Sequence, residues 1–188
     1  MIDYFAALDQ PRAPWLDPAR LKDTYHRKTL LTHPDTTAPG NTGNGFAELN
    51  EAYQVLQDPK RRLHHLLELE GIVPSSSDQT VPKELHDLFP AIGALTQRAS
   101  LLLEKTKTAS NALSRSLLKP QILEVQKETR ELREKIQDLS DASLSQLRRI
   151  NSRWRDEIAT LSNLYFAFAY LTRWSAQLDE IAFQLDAL

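Results

Sequence analysis

From Gln121 to Leu188 the chain contains neither proline nor glycine, and apolar residues return at helical spacing. The two residues that most readily interrupt a helix are missing, so this stretch is expected to run as helices joined by tight loops. Leu118, Ile122, Val125, Leu132, Ile136 and Leu139 form a nearly unbroken stripe of heptad type, and Pro120 suits the first turn of its helix. A polar turn is expected at Asp138 to Ser143. The stripe resumes at Leu147, Trp154, Ile158, Leu161, Tyr165 and Phe168, then shifts phase to Leu171, Trp174, Leu178, Ile181, Leu185 and Leu188. A single helix from 143 to 188 would measure roughly 70 Å, so a bend or break is expected near Thr160 to Asn163. An up-and-down antiparallel bundle accommodates these segments.

The bundle begins upstream. Leu85, Leu88, Phe89, Ile92, Leu95 and Ala99 mark its first helix, in which Pro90 should either produce a kink or set the true start. Residues 72–82, Ile-Val-Pro-Ser-Ser-Ser-Asp-Gln-Thr-Val-Pro, have linker composition and divide the chain. The expected organisation is a first domain over 1–71, a linker over 72–82 and a helical bundle over 83–188.

The first domain is built around a corner. Asp3 can cap a short helix carrying Tyr4, Phe5 and Leu8, and a loop with Pro11, Pro14 and Pro18 follows, in which Trp15 would lid a small core. From Pro18 to Thr32, Leu21 and Tyr25 recur at i, i+4 on one side while Lys22, His26 and Arg27 fall on the other. His33-Pro34-Asp35 ends that helix, because Pro34 has no N–H and pushes His33 out of helical geometry. After a loop rich in Gly, Thr and Asn, Phe46, Leu49, Tyr53 and Leu56 repeat at helical steps. The two helices can zip Leu21 and Tyr25 against these four residues and present the corner at one end. Lys60-Arg61-Arg62 then opens an exit helix that Gly71 stops. Its Leu63, Leu66, Leu67 and Leu69 need a cover, expected from the second domain.

These residues carry a resemblance. Asp3-Tyr4-Phe5 with Leu8, Leu21-x-x-x-Tyr25, His33-Pro34-Asp35 and Phe46-x-x-Leu49-Asn50-x-Ala52-Tyr53-x-x-Leu56-x-Asp58-Pro59 resemble the J domain of DnaJ-type co-chaperones. Asp58-Pro59-x-x-Arg62 followed by Leu66-Leu67-x-Leu69-x-Gly71 resembles the exit from that domain in the HscB family of iron-sulfur co-chaperones. The resemblance implies an all-α protein: an N-terminal J domain, a helical hairpin bearing the His-Pro-Asp loop, then a C-terminal antiparallel helical bundle. It also implies that His33, Pro34 and Asp35 stimulate the ATPase of a DnaK/HscA-type chaperone, with Lys22, His26 and Arg27 meeting an acidic surface. Leu31, Thr32 and Thr36 depart from the residues common at those places in J domains.

The stretch Leu164 to Leu171 is apolar on every side, more than one bundle stripe requires, and Phe166 and Tyr170 are its surplus. By the same resemblance, Leu88, Phe89 and Ile92 with Tyr170 match the patch that binds an iron-sulfur scaffold protein. Core packing is the alternative for these side chains, and the acidic residues usual after the first set are missing.

Composition bounds the rest. The 188 residues are 41% hydrophobic and 26% charged, with 23 basic against 25 acidic side chains and a formal charge of −2, which gives no bias toward nucleic acid. Cysteine is absent, excluding disulfides, thiolate metal ligation and a cysteine nucleophile in this chain. His64 and His65 are adjacent and point about 100° apart on a helix, so they cannot clamp one metal. No nucleophile elbow, phosphate loop or paired acid site is present; no metal, no cofactor and no enzymatic activity of its own are expected. No secretory signal is read at the start and no run is long enough to span a bilayer, so a cytoplasmic location is expected. The function expected is a co-chaperone linking the ATPase to an iron-sulfur scaffold. The alternatives are a J-domain adapter for another client, and a helical structural or oligomerisation protein with an inert J domain.

Overall fold

The computed structural model describes residues 2–32, 44–72 and 83–188, which are helical with no strand among them. The helices described are α1 (Tyr4–Ala7), α2 (Pro18–Thr32), α3 (Asn44–Gln57), α4 (Pro59–Leu69), α5 (Lys83–His86), α6 (Leu88–Thr108), α7 (Ala112–Ile150) and α8 (Ile158–Asp186), with a 3-10 turn at Trp154–Asp156. The linker expected over 72–82 lies, apart from Ile72, outside the described residues.

Local chemistry fixes the ends of the first four helices. Asp3 caps α1, its Oδ1 accepting the amides of Phe5 at 3.0 Å and Ala6 at 3.2 Å. Asp17-Pro18 and Asp58-Pro59 repeat one device, an aspartate cap followed by a proline whose missing N–H is not needed at the first helical position. Asp17 accepts the amides of Ala19 and Arg20, and Asp58 that of Arg61. Gly71, at φ +70°, closes α4: its amide bonds Glu68 O at 3.0 Å and that of Ile72 bonds Leu67 O at 2.9 Å, the paired return of a left-handed cap.

The chain forms two compact units that do not follow its order. One takes Met1–Gln79 with Leu144–Phe166, the other Thr80–Ser143 with Ala167–Leu188, so α7 and α8 each contribute to both. In the first unit Phe5, Leu8, Leu21, Leu49, Ala52, Val55, Leu56, Leu63, Leu66 and Leu67 are buried, as are Leu147, Ile150, Trp154, Leu161 and Leu164. The late segment is tied in by polar bonds: Asn151 Oδ1 accepts the Trp15 amide at 3.0 Å, Arg148 lies 4.8 Å over the Trp15 ring, and Arg155 pairs with Glu70 at 3.5 Å.

The second unit has its own core of Leu85, Leu88, Ile92, Leu95, Ala99 and Leu102, Val125, Leu132 and Ile136, and Ala167, Leu171, Trp174, Leu178, Ile181 and Leu185. Leu118, Ile122 and Leu139 pack against it. Arg98 pairs with Glu128, Arg133 with Asp179 at 2.7 Å, and Gln126 with Asp186 at 2.9 Å.

Four expectations are corrected. Asp138 to Ser143 is not a turn: α7 runs through it, the Gln137 amide reaching Asp141 at 3.1 Å and the Ser143 hydroxyl reaching Leu139 O at 2.8 Å, so these polar groups bond within the helix. The break falls at residues 151–157, where Asn151 spends its side-chain oxygen on Trp15, while Thr160 to Asn163 is helical. Pro120 stands inside α7 rather than in its first turn. Leu188 lies exposed beyond the end of α8. Pro90 sets the start of α6, at its third residue, directly after the short α5.

Candidate docking surface and client patch

α2 is held from both sides. Leu21 is buried beneath it, and the Tyr25 ring stacks on Tyr53 at 4.3 Å and 14° while its hydroxyl donates to Asn50 Oδ1 at 3.3 Å. The Lys28 ammonium bonds Ala7 O and Asp9 Oδ1, each at 2.8 Å, fastening α2 to the end of α1. Lys22, His26 and Arg27 remain exposed on the other side, as the spacing predicts. His33, Pro34 and Asp35 lie outside the described residues. Of the four residues expected to zip the hairpin, Leu49 and Leu56 are buried and Tyr53 is half-buried, but Phe46 is 43% exposed. Ala52 and Val55, on the buried side of α3, take that packing role instead.

Arg62 is a structural arginine. It is buried, and its Nε donates to Pro14 O at 2.8 Å while Nη1 donates to Leu56 O at 2.6 Å, so it binds main chain. Burial pushes its guanidinium down to about 10, opposed by the Asp58 charge. His65 has a role the sequence reading missed. Its Nε2 accepts the Tyr4 amide at 3.1 Å, and its ring lies 4.6 Å from Tyr4 and 5.8 Å from Phe5, anchoring α1 on α4. Burial lowers its pKa, against the charges of Asp3 and Glu68, which keeps the accepting nitrogen unprotonated. The signal was a histidine at an apolar helix position with Leu66 beside it. His64 is half-exposed, and its Nδ1 lies 3.3 Å from a Glu68 carboxylate oxygen. No cluster of three or more His, Cys, Asp or Glu able to hold a metal occurs among the described residues.

The client patch is rearranged. Leu88 and Ile92 are buried members of the second unit's core and cannot reach a partner. Phe89 is 39% exposed and stands edge-on to Trp174 at 4.7 Å and to Tyr170 at 5.0 Å. Tyr170 is half-buried and 5.5 Å from Trp174. Phe166 belongs to the other unit, half-buried, its ring 5.2 Å from Tyr165. Trp174, read in the sequence only as a stripe residue, is buried and supports both rings. Its position four residues after Tyr170 was the available signal.

Residues 3–65 match the family model of the DnaJ domain, which makes the N-terminal segment a J domain. The chain is 33% identical over 86 residues to a co-chaperone HscB homologue of Pseudoalteromonas atlantica, covering 43% of this chain and 49% of that protein. It is 31% identical over 120 residues to the co-chaperone HscB of Proteus mirabilis, covering 60% of this chain and 67% of that one. The chain belongs to the HscB co-chaperone family. The matched part spans about half the length of the Pseudoalteromonas relative. The structure of the HscB chaperone from Vibrio cholerae superposes with a TM-score of 0.60 at 18% identity, over 98% of this chain and 99% of that one, so the fold is shared along the length. No described helix is long and apolar enough to cross a membrane.

Proposed function

We propose that this chain is a co-chaperone that docks on a DnaK/HscA-type ATPase through the J domain and brings it an iron-sulfur scaffold protein held by the C-terminal unit. The observation that carries this reading is the split character of α2. Leu21 is buried and Tyr25 and Lys28 are bonded to neighbouring elements, while Lys22, His26 and Arg27 form an exposed cationic face on the helix that leads directly into His33-Pro34-Asp35. A cationic face speeds encounter with an acidic surface and sets register more than it adds affinity.

The tripeptide then acts by differential affinity, binding best to the chaperone state competent for hydrolysis and shifting the population toward it. ATP and the bond-breaking chemistry belong to the partner; this chain needs no catalytic group or cofactor. Phe89 and Tyr170, both in the second unit, are the scaffold contacts of this reading. The protein would share its partners' compartment, the cytoplasm.

The test is steady-state ATP hydrolysis by a purified DnaK/HscA-type chaperone. The full chain should stimulate turnover and His33→Gln should abolish the stimulation. Turnover unchanged by the wild-type chain would defeat the reading. For the client half, Phe89→Ala and Tyr170→Ala should weaken capture of the iron-sulfur scaffold while leaving ATPase stimulation intact.

A further inference from the structure

Gly93 has no reason to be glycine that this chain supplies. It sits inside α6, a position where glycine is among the least favourable residues because it gives up the most backbone freedom. Glycine is usually retained for a left-handed backbone or for close packing. Gly93 is not in the left-handed region, and a Cβ built on it would meet no atom within 4 Å. It is exposed, one helical turn beyond Phe89 and therefore on the same face. Across the helix pair, the Thr96 hydroxyl accepts the Gln177 side-chain amide at 2.7 Å, continuing that face along α8 from Tyr170. Arg173, three residues after Tyr170, is exposed and has no ion-pair partner among the described residues.

We infer that Gly93 is the specificity-determining position of the client patch, left bare so that the main chain of the bound scaffold can approach α6 closely. Resting on the scaffold-binding reading above, this defines the partner's chemistry. The partner is a protein segment that lays its backbone across Gly93, sets an apolar side chain against Phe89 and Tyr170, and carries a carboxylate toward Arg173. Glycine at such a site serves the same end as at other close backbone approaches to a ligand. A methyl group there would keep the segment at a distance and loosen its contact with both aromatic rings.

Calorimetric titration of the full chain with the iron-sulfur scaffold protein, paired with thermal melts, separates this from a structural role. Gly93→Ala should raise Tm by about 2–4 °C, as expected for an exposed helical glycine in a chain of this size. It should also weaken binding about tenfold, and Gly93→Leu should weaken it further. Arg173→Glu should reduce affinity in low salt. Wild-type affinity in both Gly93 variants would overturn the inference, and wild-type affinity in Arg173→Glu would overturn the acidic partner. Absence of any binding by the wild-type chain would defeat the scaffold reading itself, and this inference with it.

Discussion

His65 joins a histidine titration to the integrity of the J domain. Its Nε2 can accept the Tyr4 amide only while unprotonated, and burial holds its pKa below the ordinary 6.5. The unfolded chain therefore binds the proton first as pH falls. The stability this residue contributes is complete above about 6.5 and is lost as pH drops from there through the lower folded-state value. Urea melts of the full chain between pH 5 and 8 should show this loss, and His65→Gln should flatten it, since a glutamine oxygen can accept the same amide without titrating. An unaltered pH profile in the variant would refute the assignment. Asp3 acts in a separate window. Burial raises its pKa, but the Arg12 bond and the Ala6 and Phe5 amides outweigh that and hold it below the ordinary 3.8, so its contribution is lost only in stronger acid. Arg62 is the other residue on which the unit depends. Arg62→Met would leave the Pro14 and Leu56 carbonyls without their donor, and a loss of about 2–4 kcal/mol is expected in chemical denaturation.

At the scale of the element, α2 was legible because burial and charge separate cleanly around its axis, and α4 because an aspartate-proline start and a glycine stop bracket it. α7 was not. Ser and Asp at 138–143 look like a turn in sequence, but their side chains can bond within one helix and the apolar stripe continues beneath them to Ile150. The true break needed a partner the sequence does not display beside it, the Trp15 amide that takes up Asn151. Leu88 and Ile92 were misplaced for a related reason: periodicity identifies an apolar face but not which of its members border solvent. Two tests belong here. Lys22→Glu with Arg27→Glu should raise the chain concentration needed for half-maximal ATPase stimulation and reduce its salt sensitivity, because screening acts on the attraction these charges supply. Pro120→Ala restores a backbone donor inside α7 and should stabilise the chain by about 1–3 kcal/mol in denaturant melts.

At the scale of the whole molecule, the two compact units share α7 and α8, and the sequence reading divided them at the linker alone. The apolar stripe shifts phase between Phe168 and Leu171, shortly after the exchange at Phe166 and Ala167. Residues through Leu164 are buried in the first unit, and from Ala167 the helix contributes to the second. That shift was visible in the sequence, but a stripe does not name the core it enters. In the proposed reading, carrying a chaperone-docking face and a client patch on one chain would raise the effective concentration of client at the chaperone without new contacts between them. The most direct measurement is therefore chaperone ATPase turnover as the iron-sulfur scaffold is titrated, with and without the full chain. The scaffold concentration giving half-maximal stimulation should fall when the wild-type chain is present, and should not fall with His33→Gln or Phe89→Ala. An unchanged midpoint with the wild-type chain would contradict the proposal that this protein joins the two partners.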